Sequence, residues 1–328
     1  MQVPEYVKKA ATQFCRQIAN IVPLGKLANL SSYEVLPVQG PAFILKELPI
    51  TALANNLEGS WQWLCNTETV EAPVIWTVLG AVPDLYQITR CDAPLATEIA
   101  SAYARFFRTA NQQPMVDRQP GLPDLHNLNA GKKGLETAIE QAPIKKLLKA
   151  THVIASLRER VPYLALYNRI LSDKKTFPLR WMHGSAGPGN TLFDAETHKA
   201  WSVLGIEQVK PGLFFSDLGE LLRTVASTED EDSRVWENVG ISQPVYDSLL
   251  TTYLQLVKNS LTEEEIKLLP CAGLLVTYLQ ALLFTTDYLR NAPRTTFNEE
   301  DLNLHRAFNQ LILLEKMEAV QPFSPDWK

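Results

Sequence analysis

The sequence is poor in the residues that build metal cages and covalent staples. Its 328 residues include four cysteines (Cys15, Cys65, Cys91 and Cys271), far apart and without a CxxC pair. Neither a zinc site nor a disulfide framework is expected, and a reducing, cytoplasmic setting fits. His183 and His198 are the closest of the five histidines. They flank a predicted hairpin, and no metal cage is expected from them. No Lys/Arg run is present, and the formal net charge of −5 gives no footprint for nucleic acid or a membrane surface. A small molecule or a protein is the expected partner. Long apolar runs are also missing. The start, MQVPEYVKKAATQFCRQIANIV, has no signal-peptide core. The most apolar stretch, Leu268 to Phe284, is interrupted by Pro270, Thr277 and Gln280, which predicts a buried core helix and not a membrane span.

What is present is an ordinary globular balance, 46% hydrophobic and 20% charged, long enough for two lobes sharing a cleft. Helical spacing covers residues 4–20, with Pro4 at the start. YEVLPV and AFILKEL read as strands joined by a turn at Gln39-Gly40, followed by a helix over 54–64. PVIWTVLG and DLYQITR read as a further strand pair. From Pro94 the pattern is helical except for residues 179–209, which read as strand, loop, strand, turn, strand: a β island among helices. The expected division is a β-rich front, 1–92, and a helical rear, 93–328, with a hinge at RCDAP (90–94) and a cleft beside it.

The island carries HGSAGPGN (183–190), and other short segments follow in order: SDLGELLR (216–223), TEDED (228–232), FTTDYL (284–289) and NLHRAFNQ (303–310), with DLHNLNAGKKGLETAI upstream. Together they resemble the aminoglycoside phosphotransferase and choline kinase superfamily, closest to the N-acetylhexosamine 1-kinases, from about Ala42 to Glu318. The resemblance implies an α+β, bilobal protein-kinase-like fold, with a small β-rich N-lobe and a large, mainly helical C-lobe. It implies ATP and Mg²⁺ as cofactors and an alcohol group as acceptor if the chain is active.

Against that pattern the chain departs at chemically separate places. Ser185 occupies the catalytic-base position, where the family has Asp. A serine has no basic form near neutral pH, and general-base assistance is worth roughly 10²- to 10⁴-fold. Gly205 falls where the principal magnesium-binding Asp belongs. Glu207, two residues on, would be displaced about 6–7 Å along a strand. Asn190 keeps the metal-binding amide position, with a role as cap of the loop as the other reading. Lys46 resembles the phosphate-anchoring cation, with Glu58 as its pairing candidate; a solvated strand-end charge is the other reading. KLANLSSYEV has no glycine between Leu27 and Val35, although backbone approach to phosphates favours glycine.

Other positions have structural roles as competing expectations. His183 is expected to orient the loop. Asp217 is expected to be a helix N-cap, and TEDED a solvated loop. Asp287 and Arg306 are substrate candidates or partners of each other. The family arginine before FLTDYL falls on Leu283. The sum of departures predicts a pseudokinase-like small-molecule-binding or regulatory protein. Two alternatives stay open: an active, divergent ATP-dependent kinase of a sugar or other small alcohol, with Glu207 and Asn190 holding the metal, and a scaffold with an occluded cleft.

Overall fold

The computed structural model describes residues 3, 5–12, 17–27, 30–39, 43–49, 64–65, 74–79, 85–86, 88, 91–112, 126–194, 196–203, 209–291 and 301–321. Its front is a helix, α1 (Glu5–Ala11), and a five-stranded sheet of order β1-β2-β3-β5-β4. The strands are β1 (Ile18–Leu27), β2 (Leu30–Pro37), β3 (Phe43–Pro49), β4 (Leu64–Cys65) and β5 (Val74–Leu79). All pairings are antiparallel, with Ile21 opposite Val35 and Tyr33 opposite Leu45, and these four side chains are buried.

Two expectations are corrected here. The helix expected over 4–20 ends at Ala11, and Ile18 onward is strand. Ile18, Ile21 and Val22 are β-branched, and Pro23 inside a helix would remove a hydrogen bond and clash with the preceding turn. On the edge strand β1 the missing N–H is tolerated. The second correction concerns DLYQITR. Its strand, β6 (Leu85–Tyr86), does not continue the front sheet but pairs with the rear island, Leu85 opposite Asp194 and Tyr86 opposite Phe193. A period-2 pattern identifies a strand without naming its partner. Of the helix expected over 54–64, residues 54–63 lie outside the described residues, and Leu64 begins β4.

The rear is helical: α2 (Ala93–Ala110), α3 (Leu128–Gln141), α4 (Ile144–Glu159), α5 (Val161–Ser172), α6 (Ser216–Thr224), α7 (Gln243–Val257), α8 (Glu263–Leu268), α9 (Ala272–Arg290) and α10 (Leu302–Val320). Asp92 starts α2 as an N-cap, accepting the Leu95 N–H at 2.9 Å, and Pro94 sits in the first turn, where its missing donor is harmless. The buried side of α2, with Ala96, Ile99, Tyr103 and Phe107, packs against α7 and the β island.

The apolar helix α9 is a core helix, as its interrupted sequence predicts. It is buried on nearly all sides by α3, α4, α6 and α10. Its approach to α6 depends on Gly219. A Cβ there would lie 2.3 Å from Val276 Cγ2 and 2.7 Å from the Ala272 carbonyl oxygen, so any larger residue forces the helices apart.

The β island consists of β7 (Arg180–Met182), β8 (Thr191–Asp194), β9 (Ala200–Val203) and β10 (Lys210–Gly212). β8 and β9 form a hairpin, and β10 lies antiparallel to β7. Asn111, just past the end of α2, behaves as a further strand residue. Its Oδ1 accepts the Trp181 N–H at 2.8 Å and its Nδ2 donates to the Trp181 carbonyl at 3.0 Å. Arg180 is held from the other side by Glu265 of α8. The strand that delivers the HGSAGPGN loop is therefore fixed at both flanks.

Candidate functional site

The loop 183–190 leaves β7 through His183, whose side chain is fully buried. Its ring packs edge-on against Tyr103 (5.1 Å between centroids) and Phe106 (5.2 Å). Its Nδ1 accepts the Ser185 N–H at 3.3 Å. Gly184 follows with a φ of 79°, in the left-handed region that glycine adopts without steric cost.

Asp217 holds this bend. The N-cap position of α6 is Phe215, so Asp217 lies inside the first turn and is not the N-cap that the sequence suggested. Its fully buried carboxylate reaches to the loop instead, accepting the N–H of His183 at 2.7 Å and of Gly184 at 3.0 Å. Both are charge-assisted bonds to otherwise buried donors. The far end of the loop is pinned by Tyr103. Its hydroxyl accepts the Gly187 N–H at 3.1 Å and lies within hydrogen-bond distance of the Gly187 and Asn190 carbonyls, at 3.2 and 3.4 Å. Burial pushes the Tyr103 phenol well above its ordinary range, so it stays a neutral hydroxyl.

Ser185 and Asn190 face each other across the loop. Asn190 Nδ2 donates to the Ser185 hydroxyl at 2.9 Å and to the Ser185 carbonyl at 2.7 Å. The Asn190 amide is thus oriented by Ser185.

Beside the loop lies a cavity of about 410 Å³. One wall is the loop, Gly184 to Gly187 with Gly189 and Asn190; the other is His126 with Glu220, Arg223 and Thr224 of α6. Glu220 is the centre of that second wall. Its Oε1 lies 3.4 Å from His126 Nε2, and its Oε2 accepts from Arg223 Nε at 3.0 Å. Burial alone would push the Glu220 carboxyl up, but Arg223 and His126 outweigh it and hold the pKa at about 2. Glu220 is therefore a permanent anion and a poor proton acceptor. Arg223 also donates to Glu231 at 2.9 Å and to Gln310 at 3.3 Å.

No role was assigned to His126, Glu220 or Arg223 from the sequence, although the segments containing them carried part of the resemblance. The available signal was charge inside a helix: Glu220, Arg223 and Thr224 fall at i, i+3 and i+4, on one face of α6.

Of the remaining candidates, the described ones do not line this cavity. Lys46 lies in β3 opposite Ser32 and Thr77; its side chain, like all of Glu58, Gly205 and Glu207, lies outside the described residues. Arg306, on α10, is ion-paired to Asp232. Asp287 is on α9, half-buried. The acidic segment is the exposed loop expected from its composition, with Thr228, Asp230 and Asp232 exposed, but it is also tied to the helices. Asp232 and Glu231 pair with buried arginines, and the Asp230 carbonyl accepts from Asn309 at 2.9 Å. Composition reports the charge of a run and not whether guanidinium groups await it.

Magnesium, implied by the resemblance, takes near-octahedral oxygen ligands. The described part of the loop offers the Asn190 amide, while both Asp217 oxygens are engaged by backbone donors. Among the described residues no group of three or more His, Cys, Asp or Glu side chains is placed to hold a metal ion. The described residues thus offer the Asn190 amide as a magnesium ligand, and Gly205 and Glu207 lie outside the described residues.

No family model matches the sequence. Among solved structures, the choline kinase of Cryptosporidium parvum Iowa II is similar with a TM-score of 0.50 at 12% identity, covering 94% of this chain and 91% of that one. A microcompartment-associated aminopropanol kinase gives a TM-score of 0.49 at 14% identity over 98% and 99% of the two chains. An ethanolamine kinase of Plasmodium vivax gives 0.49 at 12% over 94% and 90%. The chain has an α+β, bilobal protein-kinase-like fold. At such identities the likeness establishes fold and not activity.

Proposed function

We propose that this chain is a kinase-fold protein that binds a small molecule in the cavity beside Ser185 and transfers phosphate weakly or not at all. The observation that carries this reading is the mutual engagement of Ser185 and Asn190. The hydroxyl at the base position has no negative charge to receive an acceptor proton, and the neighbouring carboxylate, Asp217, is committed to the loop backbone. Phosphoryl transfer depends chiefly on positioning and charge neutralisation, and these residues supply the first without the second. Within the kinase-like fold, the reading takes the N-acetylhexosamine 1-kinases as the nearest branch, on the sequence resemblance alone. Gly205 at the family's metal position supports the same reading, as does the glycine-poor segment from Leu27 to Val35. The front lobe, 1–92, would then be the nucleotide side and the rear, 93–328, the ligand side. The cavity of about 410 Å³ favours a binding protein over a scaffold with an occluded cleft.

Thermal stability measured against ATP, with and without Mg²⁺, separates the readings. The expected result is no Mg²⁺-dependent stabilisation. Saturable stabilisation that requires Mg²⁺ would sink the proposal and favour an active kinase of a sugar or other small alcohol, with Glu207 and Asn190 at the metal.

A further inference from the structure

We propose that residues 227–241 form a strap fastened to α6 and α10 by an ion-pair latch, and that the latch acts on the cavity through Arg223. The inference rests on reading that cavity as the binding site.

The strap closes on itself at its neck. Ser227 and Ile241 form an antiparallel bridge, the Thr228 N–H donates to the Gly240 carbonyl at 3.0 Å, and the Thr228 hydroxyl donates to the Asn238 carbonyl at 2.6 Å. None of these bonds ties it to the helical body. It is joined there by Asp232 to Arg306, Glu231 to Arg223, and Asn309 Nδ2 to the Asp230 and Ser233 carbonyls; Trp236 packs against His305 and Phe308, and Val239, near the neck, is buried in the hydrophobic core. Two of the attachments are ionic, and both have the same asymmetry. The guanidinium sides are buried, 6% exposed for Arg306 and 10% for Arg223, whereas Asp232 and Glu231 are 58% and 36% exposed.

That asymmetry makes a latch. When the strap lifts, the two carboxylates return to water at little cost, but two buried cations each lose a carboxylate. The closed state is held from the arginine side, and the exposed side remains open to screening by salt. Arg223 links the strap to the cavity, because it lines the cavity, holds Glu220 and donates to Glu231 and Gln310. Releasing Glu231 leaves Arg223 with Glu220 and Gln310 only and loosens the α6 wall at Glu220 to Thr224. Strap position and cavity shape are thereby one equilibrium.

Hydrogen exchange on the full chain, without nucleotide or magnesium, tests this. In Glu231→Gln/Asp232→Asn, which preserves side-chain shape, amides of 228–240 should exchange about tenfold faster or more, the signature of a local opening. Those of 220–224 should accelerate with them, while α9 stays as in the wild type. In the wild type, raising salt from about 0.01 M to about 1 M, which shortens the screening length from about 30 Å to about 3 Å, should speed the strap; the double variant should not respond. Unchanged exchange in 228–240 overturns the latch. Acceleration confined to the strap overturns its coupling to the cavity. Acceleration of α9 to the same degree shows general destabilisation and overturns the device. A Mg²⁺-dependent ATP response, which would sink the proposed function, leaves these results standing.

Discussion

Asp217 accepts the backbone N–H of His183 at 2.7 Å, a carboxylate on a helix holding the first residue of a loop 34 positions earlier in the chain. With the second bond to Gly184 it fixes the bend from which Ser185 and Asn190 are displayed. Replacing Asp217 by Asn removes the charge and turns one acceptor into a donor aimed at a donor. Leaving a buried N–H unsatisfied costs about 1–3 kcal/mol, so Asp217→Asn should lose about that much stability in urea unfolding. Its loop amides should also exchange faster. A variant as stable as the wild type would show that the two bonds contribute nothing net.

Ser185 and Gly205 give a gain-of-function test. Asn190 Nδ2 already donates to the Ser185 hydroxyl, so an Asp side chain at that position finds a donor waiting. Ser185→Asp with Gly205→Asp restores two carboxylates that the resemblance predicts for base and metal. The folded double variant should show Mg²⁺-dependent stabilisation by ATP where the wild type shows none. If the variant folds and gains no such response, either the placement of the metal position at Gly205 or the reading of an open cleft is wrong.

The sequence exposed the rear of this molecule better than the front. The interrupted apolar run became α9, and the change of period over 179–209 became the β island, because both signals are local. Strand β1 was hidden because QFCRQIANIV carries helical spacing until β-branching and Pro23 decide otherwise. The partner of β6 is a non-local fact, and no local pattern encodes it. At the site, HGSAGPGN announced the loop, but Asp217 read as a cap because its position before an amphipathic segment is what a cap looks like. Its long-range role depends on where α6 docks. Of the Glu220–Arg223–His126 wall, the helix spacing could have flagged Glu220 and Arg223, but His126 meets Glu220 only through the packing of distant segments.

The Arg180–Glu265 pair anchors the strand that presents the loop. Arg180 donates to both carboxylate oxygens, at 3.2 and 2.6 Å, and Glu265 is fully buried while also closing the capping box of α8. Removing one partner of a buried pair leaves an uncompensated charge, at a cost of about 3 kcal/mol or more. Arg180→Met should lose that much, and adding Glu265→Gln should recover at least half of it by removing the stranded carboxylate. A double-mutant cycle measures the coupling. Strictly additive losses would show that the two side chains act independently.

Glu220 makes a prediction about acid stability. Its carboxyl titrates at about 2 in the folded chain against an ordinary value of 4.5, because Arg223 and His126 favour the charged form more than burial disfavours it. A depressed carboxylate stabilises the fold fully above its unfolded pKa and loses that contribution as pH falls toward its folded one. The window therefore runs from about pH 4.5 down to about pH 2, and the contribution is about 3 kcal/mol when complete. Glu220→Gln cannot titrate, so between those limits its stability should fall less steeply with acid than that of the wild type. At neutral pH it should be less stable by a similar amount, since Arg223 then keeps only Glu231 as a carboxylate partner. Urea midpoints across the window measure both effects. Parallel pH profiles for wild type and variant would show that Glu220 is not held by Arg223 and His126.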